Sequence, residues 1–112
     1  MVVDNDPEAL ALAVTDLSYE GHQIVGQGTT ADEALTLVEH ERPDVLVVDH
    51  RMPPGLWGAD VAERLAHVDS PTRVIVYSNY QSAELVQRVR AAGATFLPKG
   101  SIRSLRRAVR GG

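Results

Sequence analysis

The chain has 112 residues, 44% of them apolar, which suffices for one compact core and a single domain. It has no cysteine, so a disulfide framework, a thiolate metal centre and a cysteine nucleophile are all excluded, and a reducing cytoplasm suits it. The net charge of -4 hides a division: all fifteen acidic residues lie at or before Glu84, whereas seven of the eleven basic ones follow it, leaving a purely cationic last quarter. Such a stretch fits nucleic acid, an acidic protein partner or a self-contact, but the acidic remainder of the chain disfavours phosphate backbones.

Taken in order, short apolar runs alternate with segments of helical period. "MVV" precedes "EALALAVTDL", "HQIV" precedes "ADEALTLVEH", "DVLVVD" precedes "ADVAERLAHV", "RVIVYS" precedes "SAELVQRVRAA" and "TFL" precedes "SIRSLRRAVR". That makes five βα units. "VLVV" and "VIVY" are apolar throughout rather than alternating, as central parallel strands covered on both faces should be. Each helix has an apolar stripe for the core: Leu10, Val14 and Leu17; Leu35 and Val38; Val61, Leu65 and Val68; Leu85, Val89 and Ala92; Ile102, Leu105 and Val109. Asp6 before Pro7 reads as an N-cap, Thr30 with Glu33 has capping-box spacing, and Gly21 and Gly93 stand where helices should stop. No apolar run approaches the ~20 residues that span a bilayer, and "MVVDNDPEAL" has no basic leader or signal-like core, so a cytoplasmic chain without membrane contact is expected.

Right-handed βαβ connections then give an α/β fold with a doubly wound, five-stranded parallel sheet, whose ligands bind outside the carboxyl ends of the strands. Polar groups gather at those ends: Asp4, Asn5 and Asp6 after the first strand, Asp49 after the third, Ser78 and Asn79 after the fourth, and Lys99 after the fifth. One aspartate at a strand end commonly does no more than cap a loop. Clustered carboxylates repel one another unless a hard cation joins them, and Mg²⁺ typically takes one or two carboxylates, waters and phosphate oxygens. With a lysine and a hydroxyl beside them, they form a candidate phosphoryl site.

The motifs "VVDNDP", "PDVLVVDHRMP", "VIVYS" and "GATFLPK", in that order, resemble the receiver domain of two-component response regulators. The resemblance covers essentially the whole chain, and "LPKGS" is similar to the NarL/LuxR-type subgroup. It implies a flavodoxin-like (βα)5 fold with strand order 2-1-3-4-5 and a phosphoacceptor, Asp49, loaded by a histidine kinase. It further implies Mg²⁺ held by Asp4, Asn5, Asp49 and the backbone carbonyl of Arg51, with Lys99 on a phosphoryl oxygen. Ser78 and Phe96 would be the switch pair. Arg51 and Tyr80 would adjust the lifetime of the phosphate and, being large, screen water. The subgroup's output is usually a helix-turn-helix DNA-binding domain, so DNA contact is expected only through a domain that this chain does not include. The role is that of a signalling switch, not an enzyme.

Two departures stand out. Asn5 replaces the second acid of the usual pair, and losing a unit charge ~4 Å from a divalent ion forfeits several kcal/mol at an effective dielectric of ~20, before water screens it. Weaker Mg²⁺ binding is expected, with Asp6 committed to its cap. In "MPPGLWG" the glycine opening the third helix comes one residue late, and Trp57 occupies the enlarged loop, either as a partner anchor or packed on the third helix. His50 is expected to point away from the site, and His22, His40 and His67 lack metal-ligand spacing.

Arg103, Arg106, Arg107 and Arg110 share one face of the last helix, opposite its apolar stripe. Since receivers commonly pair through their fourth or fifth helices, a weak homodimer through these arginines is expected. Two rivals remain. A pseudo-receiver would dock or dimerise without phosphate. A haloacid-dehalogenase-like phosphatase would use Asp4 as nucleophile and Asp6 as acid, but leaves Asp49 without a role.

Overall fold

The computed structural model describes residues 1–53 and 55–111. Five parallel strands, β1 (Val2–Val3), β2 (Gln27–Gly28), β3 (Val45–Val48), β4 (Arg73–Ser78) and β5 (Thr95–Pro98), lie in the order β2-β1-β3-β4-β5. Helices α1 (Pro7–Tyr19), α2 (Ala31–Glu41), α3 (Gly58–His67), α4 (Ala83–Ala91) and α5 (Ile102–Arg110) connect and follow them. The doubly wound parallel sheet read from the alternating runs is observed, in the strand order that the resemblance implies. Among the described residues no helix is long and apolar enough to cross a membrane.

The unbroken apolar strands serve two cores. Val3, Leu46, Val48, Val74, Val76 and Phe96 face α2, α3 and α4, while Val2, Val47 and Ile75 face Ala13 and Leu17 of α1 and Leu105 and Val109 of α5. Alternation along β3 therefore sends successive valines to opposite layers, the period-2 geometry hidden inside a continuous apolar run.

Three local expectations change. The second strand lies at Gln27–Gly28, not at "HQIV". The amide of His22 bonds to the Leu17 carbonyl and Gly21 turns at φ +95°, so residues 22–25 are used in leaving α1; the two-residue β1 then has room to pair only with Gln27 and Gly28. Val68 and Ile102, placed in buried stripes by periodicity, are exposed, because each sits at a helix end where the stripe runs past the sheet.

The caps follow the sequence more closely. Asp6 accepts the Glu8 amide at 3.0 Å and Thr30 accepts the Glu33 amide at 3.1 Å. Glu33 returns to the Thr29 amide and to both threonine hydroxyls, one residue beyond the strict reciprocal box, and these bonds hold its carboxyl below the usual range.

Candidate functional site

β1, β3 and β5 deliver three charged side chains to one point above the sheet. The Lys99 ammonium lies 2.7 Å from Asp4 Oδ2 and 3.6 Å from Asp49 Oδ1, and all three side chains are at most 13% exposed. Local backbone fixes each of them. Asp4 Oδ1 accepts the Asp6 amide at 2.9 Å, Asp49 Oδ1 accepts the His50 amide at 2.9 Å, and the Lys99 amide extends the β4–β5 ladder by donating to the Ser78 carbonyl at 2.9 Å.

Burial, together with the Asp4 charge, pushes the Asp49 carboxyl up to about 6, although Lys99 and the His50 amide oppose the rise. Burial disfavours the Lys99 ammonium too, but its contacts with the two carboxylates outweigh that and raise its pKa. A single lysine thus leaves the carboxylate pair under mutual repulsion.

Ser78, 1% exposed, ends β4, and its Oγ accepts the Tyr80 amide at 3.0 Å. Phe96, one of the apolar residues of β5, is buried in the layer facing α4. Asn5 is exposed and donates through Nδ2 to the Pro53 carbonyl at 3.4 Å, joining the β1 and β3 loops. With Asp6 on its helix cap, the acids gathered here are Asp4 and Asp49, and among the described residues no three acidic or histidine side chains group as a metal cluster.

Gly58 explains how α3 begins so close to the site. Its amide donates to the His50 carbonyl at 2.8 Å, and a Cβ there would lie 2.4 Å from the Asp49 carbonyl oxygen. Any side chain would force α3 off the end of β3. The extra loop residue before Gly58 is accommodated by placing Trp57 over His50, with ring centroids 5.2 Å apart and edge to face. His50 is buried beneath the loop and its Nδ1 accepts the Ala59 amide at 3.4 Å; burial, then the Arg88 and Arg51 charges, hold it below the usual histidine range and neutral.

A matching family model, that of the response regulator receiver domain, covers residues 1–110. The chain is a response regulator receiver domain. It is 35% identical over 106 residues to the transcriptional regulatory protein NarL of Mycobacterium tuberculosis, across 93% of this chain but 49% of that protein, so it spans about half the length of this relative. It is 29% identical over 94 residues to sporulation initiation phosphotransferase F of Bacillus subtilis, across 84% and 74% of the two chains. Among solved structures, the signal receiver domain of M. tuberculosis NarL superposes with a TM-score of 0.91 at 34% identity, covering 98% of this chain and 90% of that one.

Receivers of two-component systems switch by phosphorylation, and this receiver has the fold for it. Its charged side chains beyond the strand ends are arranged in ways the sequence reading did not anticipate. Arg106 is held within the chain: its guanidinium pairs with Asp16 of α1, with Nε 3.0 Å from Oδ2, and reaches Glu20 at 3.9 Å. Arg103, Arg107 and Arg110 stay exposed. Arg88 of α4 was also missed: it forks onto Asp60 at 2.8 Å and Glu63 at 2.7 Å, both on α3. The available signal was the spacing of the acids, i,i+4 for Asp16 and Glu20 and i,i+3 for Asp60 and Glu63, which puts two carboxylates on one helix face.

The Arg106 hydrogen bond holds the Asp16 carboxyl below its ordinary 3.8. A depressed folded-state value stabilises the protein above the unfolded pKa and loses that contribution as the pH falls through the folded one. Arg106→Ala should therefore lower stability at pH 7, and the deficit should be smaller below pH 3.8, as read by urea unfolding at a pH on either side. Equal deficits at both would mean that the arginine acts through packing alone.

Proposed function

We propose that Asp49 is the phosphoacceptor of this receiver and that the observation carrying the assignment is the shared lysine: Lys99 lies between Asp4 and Asp49 at the carboxyl end of the sheet. The Asp49 carboxyl, at about 6, is mostly ionised at neutral pH. Oδ1 is committed to the His50 amide and faces Lys99, which leaves Oδ2 as the attacking oxygen. A bond forms from that oxygen to phosphorus as the phosphorus–nitrogen bond of a kinase phosphohistidine breaks, and the imidazole nitrogen takes up the electron pair.

Hard oxygen donors and uncompensated repulsion between two carboxylates suit Mg²⁺. Asp4, Asp49 and the Arg51 carbonyl would hold it, with Asn5 contributing at most a neutral oxygen, and when bound it spreads the charge of the transferring phosphoryl group. Lys99 exchanges part of its contact with Asp4 for a phosphoryl oxygen. The Ser78 hydroxyl turns to donate to another, releasing the Tyr80 amide, and Phe96 follows, so that a new charge biases the β4–α4 and β5 segments between two states.

The partner supplying phosphate is a histidine kinase. The output is a DNA-binding domain of the NarL/LuxR type outside this chain, and the compartment is the cytoplasm. A homodimer would use the exposed Arg103, Arg107 and Arg110, while Arg106 stays on α1.

The test is intact mass after incubation with acetyl phosphate and Mg²⁺. The natural chain gains one phosphoryl group and Asp49→Asn gains none. If neither gains one, and Asn5→Asp restores uptake, the exposed Asn5 has made the domain a docking module that works without phosphate.

A further inference from the structure

The sheet has a notch at its amino end, opposite the charged site. β1 is two residues long and pairs Val2 with Gln27 on one side and with Val47 on the other, whereas β3 runs back to Val45. Below Met1 lies a cavity of about 350 Å³ whose apolar lining includes Leu17, Ile24, Val45, Val47 and Val109. Backbone groups border it as well. The Gly26 carbonyl accepts the Val2 amide at 3.2 Å and the Val45 carbonyl accepts the Met1 ammonium at 3.0 Å, yet the amides of Gly26 and Val45 have no hydrogen-bond partner among the described residues. In a parallel ladder the amide and carbonyl of one residue point to the same neighbour, so both amides face the gap.

We propose that the notch is an acceptor site for an extended polypeptide segment, two residues long and joined ahead of Met1, which completes β1 between the residues around 24 and those around 45. Continued past Met1, the observed register sets the first added residue opposite Val25 and Val45 and the second opposite Ile24 and Asp44. The carbonyl of the first then accepts the Gly26 amide and that of the second the Val45 amide. Two residues satisfy both groups.

The Met1 ammonium is an independent sign. Burial pushes its pKa down, whereas a peptide amide in its place makes the same bond to Val45 with no charge to desolvate. "HQIV" is another: it has the composition of a strand but forms none, and its Ile24 and Val25 line the cavity instead. Alternation along β1 puts the residue next to Met1 on the face of Val2, toward Leu17 and Val109, so that residue is apolar. A separate strand this short could not offset the freedom it loses on binding, whereas a joined one is already held at the notch. Since Asp4 follows β1 directly, a longer strand also steadies the carboxylate that Lys99 contacts.

Two extended proteins test this. One has Gly-Ser-Thr-Val ahead of Met1, which brings valine to the apolar lining; the other has Gly-Ser-Thr-Asp, which brings a carboxylate there. Relative to the natural chain, amide hydrogen exchange at Gly26 and Val45 should slow about tenfold or more in the valine form. Its thermal midpoint should rise by about 5 °C. The aspartate form should match the natural chain in both. Exchange that stays as fast in the valine form, or slows as much in the aspartate form, overturns the proposal. Protection by the free peptide acetyl-Gly-Ser-Thr-Val, with none from the joined segment, overturns it in favour of a separate partner strand.

Discussion

Asp49→Asn should make the metal-free protein more stable than the natural chain, by about 2 kcal/mol at pH 7, and, with Asp49 as the proposed phosphoacceptor, should abolish phosphoryl uptake. The Asp49 carboxyl has an ordinary value of 3.8 and one of about 6 in the fold, raised by burial and then by Asp4. A raised folded-state value favours the protonated form, so that contribution to stability is complete below pH ~4 and is lost as the pH rises through about 6. Above that, the ionised carboxylate is a net cost. Two pK units correspond to nearly 3 kcal/mol, and partial solvation of the group reduces this to about 2.

The amide removes the charge while Lys99 keeps Asp4 at 2.7 Å. Thermal unfolding in chelator should show a midpoint gain on the order of 10 °C at pH 7 that disappears near pH 4. Added Mg²⁺ should raise the midpoint of the natural chain more than that of the variant, since the cation binds the folded carboxylate pair. A variant no more stable than the natural chain at pH 7 would mean that Lys99 fully offsets the repulsion.

Lys99→Met works in the opposite direction. The lysine side chain is 13% exposed and those of Asp4 and Asp49 are 7% and 13% exposed, so its removal leaves two buried carboxylates without their cation. Breaking a buried pair from one side typically costs 3–5 kcal/mol, and an expected loss of about 3 allows for the methionine filling the same space. Part of the loss should return with millimolar Mg²⁺, which replaces one positive charge between the carboxylates by two. Urea unfolding with and without the cation separates the two effects. A stability equal to that of the natural chain in chelator would show that Asp4 and Asp49 separate once the lysine is gone, and that the site is less rigid than its hydrogen bonds imply.

Both results describe a site held in tension. Two strands bring like charges together, and a lysine from a third holds them. Proteins retain such arrangements where function requires them, because replacing the acid would be neutral or stabilising for the fold alone. Asn5 relaxes the tension by one charge. Its side chain, turned to the Pro53 carbonyl, now serves the loop.

The sequence by itself determined the fold class and the strand-end residues, while the strand order came from the resemblance its motifs carry. Continuous runs such as "VLVV" and "VIVY", alternating with helical segments, fit central parallel strands, βαβ connections favour one handedness, and polar residues that follow those strands then emerge at one edge. Caps at Asp6 and Thr30 were equally legible, since a cap is a contact over two or three residues. Register within the second unit was not. Whether "HQIV" or Gln27–Gly28 pairs with β1 depends on where α1 releases the chain and on the two residues β1 offers.

Long side chains escaped for a similar reason. On periodicity alone Arg106 belongs with Arg103, Arg107 and Arg110, yet it is withdrawn to Asp16 because α1 and α5 pack on the same face of the sheet. Arg88 reaches Asp60 and Glu63 because α3 and α4 share the other face. Nor could spacing place Trp57 against His50 with Arg51 above it, since that contact depends on a loop wrapping the end of β3. Local pattern specifies which face of an element is apolar. Which charged group meets which across two elements is set only when the layers pack, because guanidinium and indole groups reach beyond the element that carries them.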